Sequence, residues 1–310
     1  MAPLETGTPK AMDIATFEQR FQAGLDAMAG MSLTAARRHY DDLCASFSPP
    51  LPAGMTLTDT GIEAVPVRLY RPARCQPGTL VYVHGGGYSL GSLDSHQGIA
   101  AGLAQLLERE VLSIDYPLMP GARYAQALAD CRRVVAATAP VALVGDSAGA
   151  RLILDAVIGA ASVPLLGLIY PLVGVPTTAN LGPDAALLSR ADVLAAWALI
   201  QDDAPPGDGQ PPPAKHIEVL AVERDPLTAP LEKAVKAWRA GGADVGYRQA
   251  ANMLHGCLHA RESLPGMADA WRQFCAALRQ RLDSPADQAR HQHSGTQETT
   301  SSPLPAHQNP

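Results

Sequence analysis

From residue 64 onward, two kinds of apolar pattern take turns along the chain. Short runs rich in β-branched residues predict strands: "AVPVRLYRP", "TLVYVHGG", "EVLSIDYP", "VALVGD", "VPLLGLIYP", "HIEVLAVERD" and "DVGYRQA". Between them lie "HQGIAAGLAQLLERE", "YAQALADCRRVVAAT", "AGARLILDAVIGA", "APLEKAVKAWRAGG" and a last stretch near 265–282. These repeat apolar residues at intervals of three and four and predict helices. Such alternation predicts an α/β fold, a mostly parallel, doubly wound sheet with helices on both faces. Ahead of it, residues 12–29 put Ile14, Phe17, Phe21, Leu25 and Met28 at helical spacing. A second helix is expected from Ser32, ending before "SFSPPLPAG".

The pattern breaks once. Between Pro171 and Ile217 lie 45 residues that hold one helical stretch, "SRADVLAAWALIQDD", and the proline-rich "APPGDGQPPPA". That exceeds an ordinary connection and predicts an inserted lid. The expected organisation is a loose N-terminus over 1–11 and a single domain over 12–283. The domain carries a small helical cap from 12–50 and 176–214, and a disordered polar tail follows over 284–310. His291, His293 and His307 fall in that tail and read as solvated rather than as metal ligands.

Composition narrows the function. A chain of 310 residues with 47% hydrophobic content is expected to bury a large core. The net charge of -6, with no dense Lys/Arg block, argues against a nucleic-acid groove or a polybasic membrane patch. Cys44, Cys75, Cys131, Cys257 and Cys275 are scattered and lack CxxC spacing, so they read as reduced thiols and not as a zinc site or a disulfide frame. The first residues lack the basic and apolar regions of a signal peptide. The longest apolar run, "VPLLGLIYPLVGVP", is too short and too proline-broken to span a bilayer. A cytoplasmic protein without membrane insertion is expected, with a homo-oligomer compatible with the sequence.

The candidate chemistry centres on "LVGDSAGA". Ser147 stands between a predicted strand and a predicted helix, with Gly145 and Gly149 two residues to either side. Gly-x-Ser-x-Gly at such a junction is a nucleophile elbow. A turn serine or helix cap is the plain alternative, and the partners decide between them. A serine nucleophile needs a histidine base, and the histidine needs a carboxylate to orient it. Reactive groups of a doubly wound sheet lie beyond the C-terminal ends of its strands. "EVLAVERDPL" puts Asp225 there, and "QAANMLHGCLH" puts His255 there. The chain order Ser147, Asp225, His255 is that of an α/β-hydrolase. Glu223 and Asp202 compete for the acid and His259 for the base. Pro226 suits a turn after Asp225, and Gly256 suits a tight loop after His255.

Acyl transfer also needs donors waiting for a negative oxygen. Ala148 opens the helix after Ser147, so its N–H is one candidate. Gly85, Gly86 and Gly87, in "VYVHGGGYSLGSLDSH", can present bare backbone N–H groups, with Gly86 the preferred one. A phosphate loop would end in Gly-Lys-Ser/Thr, which is absent. His84 and Asp146 read as supporting hydrogen bonders.

The segments "HGGGYSLGSLDSH", "DYPLMP", "GDSAGA", "RDPL" and "LHG", in this order, resemble the hormone-sensitive-lipase-like branch of the α/β-hydrolases, the bacterial carboxylesterases. The resemblance covers about residues 65–282 and two N-terminal helices like those that cap this family's site. It implies catalytic Ser147, Asp225 and His255, and an oxyanion hole from the 85–87 run and Ala148. The chain departs from the family at Pro117 and Gly121, where an arginine and a glutamate are usual. The expected function is hydrolysis of short-acyl carboxylic esters through an acyl-enzyme, with no metal or organic cofactor. An amidase or arylformamidase on the same scaffold is the enzymatic alternative, and a small-molecule receptor the non-enzymatic one. Phe17, Phe21, Trp197 and Leu199 are candidates for the inner face of the cap.

Overall fold

The computed structural model describes residues 11–160, 163, 165–205 and 212–284. The expectations for residues 1–10, for the tail beyond 284 with its three histidines, and for the middle of the proline-rich linker lie outside the described residues.

Among the described residues, eight strands form one sheet: β1 (Thr56–Ile62), β2 (Val65–Arg71), β3 (Gln76–Val83), β4 (Arg109–Ile114), β5 (Ala142–Asp146), β6 (Leu165–Ile169), β7 (His216–Arg224) and β8 (Asp244–Leu254). Their order is β1-β2-β4-β3-β5-β6-β7-β8. β1 and β2 pair antiparallel, as do β2 and β4, and the remaining pairs are parallel. The helices are α1 (Ile14–Asp26), α2 (Leu33–Ala45), α3 (Gln97–Leu107), α4 (Tyr124–Thr138), α5 (Ser147–Ala156), α6 (Arg190–Ala198), α7 (Thr228–Ala240) and α8 (Pro265–Leu282).

The central strands are continuous apolar runs because both faces are covered. Val81 and Val83 of β3, Leu143 of β5, and Val219 and Ala221 of β7 join one core with side chains of α4, α5 and α7. Their neighbours Leu80, Tyr82, Val144, Leu220 and Val222 join a second core with α3, α8 and the N-terminal helices. The period of two in a strand divides one run between two cores.

Elements at both edges of the sheet differ from the sequence reading. β1 was not expected: "TLTDTGI" pairs only with β2 at the sheet's edge and stays largely exposed, so it needs no apolar alternation. β8 runs to Leu254, four residues past the expected "DVGYRQA", because its last turn pairs again with β7 after a register shift. Its extension delivers His255 directly at a strand end.

Candidate active site

Ser147 connects β5 to α5 with φ +50, left-handed backbone that costs an L-residue about 1–2 kcal/mol. Packing holds it there. A methyl group on Gly149 would lie 2.1 Å from the carbonyl oxygen of Val83 and 2.4 Å from that of His84. Only a bare α-carbon lets α5 come this close to the end of β3. Gly145 is similarly confined, with Ala150 N and Gly149 C each 2.9 Å from where a Cβ would stand.

The partners converge on the serine from the ends of β7 and β8. His255 Nε2 is 2.9 Å from Ser147 Oγ, and His255 Nδ1 is 2.7 Å from Asp225 Oδ2. A carboxylate only accepts, so Nδ1 carries the proton, and Nε2 is left to accept from the serine hydroxyl. Asp225 is buried, and its other oxygen accepts from the N–H of Leu227 at 2.8 Å. The ring of Tyr170 lies against His255, centroids 4.4 Å apart.

The competing residues are occupied elsewhere. Glu223 accepts from the N–H of Asn252 at 2.6 Å, and Asp202 is exposed in the insert. His259 sits in a short 3-10 turn (Cys257–Ala260), buried, with Nε2 3.6 Å from Cys44 Sγ of α2. Burial, and then the nearby His96, push its pKa down to about 3. It reaches the same cavity as His255 but makes no hydrogen bond to Ser147 among the described residues.

The glycine run divides. Gly86 and Gly87, at φ +115 and +59, line the cavity beside Ser147 and Ala148. A Cβ on Gly86 would stand 2.3 Å from the carbonyl oxygen of Leu90, so this turn admits only glycine. Ala148 lies in the first turn of α5, where an N–H has no partner within the helix. Gly85 is a correction: its N–H donates to Asp146 Oδ1 at 3.0 Å and is not free to meet an oxyanion.

Asp146 organises the floor. Its carboxylate also accepts from the Tyr82 hydroxyl at 2.5 Å and faces His96 Nε2 at 3.4 Å. Burial opposes its charge, but His96 and the Tyr82 hydrogen bond outweigh burial and hold the carboxyl well below the usual carboxylate range. His84 is buried with Nδ1 2.8 Å from the carbonyl of Gly85, and burial followed by His96 lowers its pKa to about 3. His84 and Asp146 therefore support the glycine loop, as expected. His96 and Tyr82 escaped the sequence reading, since a lone histidine or strand tyrosine carries no such signal.

Arg37 of α2 donates to the carbonyls of Ser89 and Met119 at 2.9 and 3.0 Å, tying the glycine loop to the 117–121 segment. Nothing in "TAARRHY" distinguishes Arg37 from an ordinary surface arginine.

Above Ser147 opens a cavity of about 500 Å³, within the range of small-molecule sites. Phe21 and Leu25 of α1, Leu187 and Leu188, Val193 of α6, and Leu199 form apolar walls. Of the four cap residues expected to face inward, Phe21 and Leu199 do. Phe17 instead packs on Phe21 and Phe47, with centroids 5.2 Å away in each case, and Trp197 lies under the guanidinium of Arg151. Among the described residues, no three His, Cys, Asp or Glu side chains are grouped to hold a metal ion, and no helix is long and apolar enough to cross a membrane.

The chain is 34% identical over 132 residues to ethyl acetate hydrolase of Pseudomonas putida, a match covering 38% of this chain and 42% of that protein. It is 29% identical over 257 residues to carboxylesterase NlhH of Mycobacterium tuberculosis, covering 72% and 80%. Among solved structures, DphMB1 superposes with a TM-score of 0.73 at 27% identity, over 87% of this chain and 98% of that one. An esterase of the bacterial hormone-sensitive lipase family shares the fold, with a TM-score of 0.74 at 20% identity over 90% and 99%. The family model for the alpha/beta hydrolase fold matches residues 80–259, from β3 to the histidine-bearing turn after β8. The match takes in the glycine loop, the elbow and both partners of Ser147, and the chain belongs to the α/β-hydrolase family.

Proposed function

We propose that the protein is a serine carboxylic-ester hydrolase for short-acyl esters, working through an acyl-enzyme. The observation that carries this reading is the unbroken hydrogen-bond path from Asp225 through His255 to Ser147, ending in an apolar cavity. The names of the relatives, an ethyl acetate hydrolase and a carboxylesterase, support it.

Ser147 Oγ attacks the acyl carbon as His255 Nε2 takes its proton, and Asp225 stabilises the imidazolium that forms. The carbonyl oxygen becomes an oxyanion facing the N–H groups of Gly86, Gly87 and Ala148. His255 returns the proton to the alkoxide, the alcohol leaves, and the acyl group stays on Ser147. Water then attacks the acyl carbon with His255 taking its proton, and the carboxylic acid is released as Ser147 recovers its own.

Substrate size follows from the walls. A cavity of about 500 Å³ must hold both acyl and alcohol groups. Each added CH₂ gains about 0.8 kcal/mol while it is still being buried and nothing once it meets a wall. We assign the cap to residues 12–50 and 176–214, whose helices supply those walls. The five free thiols, four of them buried, support a reducing, cytoplasmic setting.

The test is a panel of p-nitrophenyl esters of rising acyl length beside one p-nitroanilide. The expected result is a maximum in kcat/KM at roughly two to six carbons, with no jump when the substrate forms micelles. A maximum at long chains or activation at an oil–water interface would make the protein a lipase. Turnover of the anilide alone would make it an amidase.

A further inference from the structure

We infer that Arg151 is a positioning residue that sets the cap insert in place over the cavity and thereby limits the acyl chains the site accepts. The inference rests on the ester-hydrolase reading of the same site. Arg151 stands on α5, four residues after Ser147, and is 1% exposed. Its Nε lies 2.9 Å from both carboxylate oxygens of Asp155, one turn further along. Nη1 donates to the carbonyl of Gly174 at 2.6 Å, and Nη2 donates to the carbonyl of Pro205. Gly174 belongs to the segment that leaves β6, and Pro205 to the segment that follows α6. The guanidinium also lies over the Trp197 ring of α6, 5.2 Å from its centroid.

One rigid planar group therefore meets the segment that leaves β6, the helix α6, and the segment that follows α6. A fork of fixed N–H directions can satisfy two carbonyls and a carboxylate together, whereas a lysine offers one point of charge. The consequence reaches the cavity because Val193, Ala196 and Leu199, on and beside the same helix as Trp197, form part of its wall. A second path runs the other way. Asp155 accepts from the Tyr124 hydroxyl at 2.6 Å, and Tyr124 stands edge-on to Tyr88, which follows Gly87 on the cavity wall. Arg151 makes no hydrogen bond to Ser147, His255 or the glycine loop among the described residues, so its influence falls on the wall and not on proton transfer. A short acyl group ends before that wall, and a long one presses on it.

Two variants test this. Arg151→Lys keeps the charge and loses the fork. Arg151→Met combined with Asp155→Leu removes both charges together, since removing only one partner would leave a buried charge unpaired. Turnover of p-nitrophenyl acetate, butyrate and octanoate is measured for each, with deuterium exchange of the α6 amides as a readout that needs no substrate. In both variants kcat/KM for the acetate should stay within about threefold, while the octanoate-to-acetate ratio rises about tenfold, the worth of roughly two more buried CH₂ groups. The change should lie in KM rather than kcat, and α6 should exchange faster while α5 keeps its protection. An equal fall for all three esters in a folded variant would reduce Arg151 to a structural residue. An unchanged ratio with wild-type exchange in α6 would overturn the inference. If the wild-type protein hydrolyses none of the esters, the ester reading fails, and the exchange of α6 still decides whether Arg151 holds the insert.

Discussion

The floor and the roof of the cavity are built by different means. The floor is the junction of β3, β5 and α5, where backbone meets backbone: the space for a methyl on Gly149 is filled by the Val83 carbonyl, and that on Gly86 by the Leu90 carbonyl. The roof is α1, α2 and α6, held by side chains. Phe17, Phe21 and Phe47 pack as a cluster, Arg37 ties α2 to two loops, and Arg151 ties the insert to α5. Backbone contacts cannot be adjusted by substitution, whereas side-chain packing changes in steps of a methylene. The floor is suited to chemistry, which needs atoms in fixed positions, and the roof to selecting what enters.

Ser147→Ala is the severest test of that division. It should lower kcat/KM roughly 10⁴- to 10⁶-fold while leaving the circular dichroism spectrum and urea midpoint unchanged. Retention of more than a few per cent of activity would remove the chemistry from the floor.

The two histidines after β8 sharpen it. His255→Ala should abolish turnover, and His259→Ala should leave most of kcat, because only His255 bonds Ser147. The wild-type rate should fall on acidification, since the imidazole must be neutral to accept the serine proton. Exchanged effects in the two mutants would reassign the base.

Gly149→Ala tests the floor's rigidity without touching a reacting group. Pushing α5 off β3 should cost about 3 kcal/mol, read as a lower urea midpoint, and should also lower kcat by displacing Ser147. Wild-type stability in this variant would show that the floor can give way.

Acid should weaken both regions through His84 and His259. An unfolded imidazole titrates near 6.5, and these two titrate at about 3 in the fold. As pH falls from 6.5 towards 3, the unfolded chain takes up protons that the folded one does not. Stability should therefore be full above 6.5, fall as the pH drops below it, and level off towards 3. Equal urea midpoints at pH 7.5 and 5 would contradict their neutral burial.

The smallest expected effect belongs to the roof. Phe21→Leu removes part of one wall and should move the best acyl chain longer by one or two carbons, each worth about 0.8 kcal/mol, with little change for the acetate. A fall in acetate turnover matching the loss seen in His255→Ala would place Phe21 in the chemistry and erase the distinction.

The sequence by itself determined the floor, because its signals are local. An apolar run makes a buried strand, glycines two residues either side of Ser147 permit the elbow, and Asp225 and His255 stand at strand ends. It determined less wherever two equivalent local readings competed. His255 and His259 lie four residues apart in one loop, and β8 had to extend to Leu254 before the first of them faced Ser147. Gly85 looks as free as Gly86 until Asp146, 61 positions away, takes its N–H. Phe17 and Phe21 share one helix face and both pack against Phe47, yet of the two it is Phe21 that lines the cavity. Arg37 and Arg151 read as helix charges, and their roles appear only where distant carbonyls meet them. The tertiary structure alone decided these, for one physical reason. A hydrogen bond or a packed wall is a relation between atoms far apart in sequence, and neither partner's own neighbours record it.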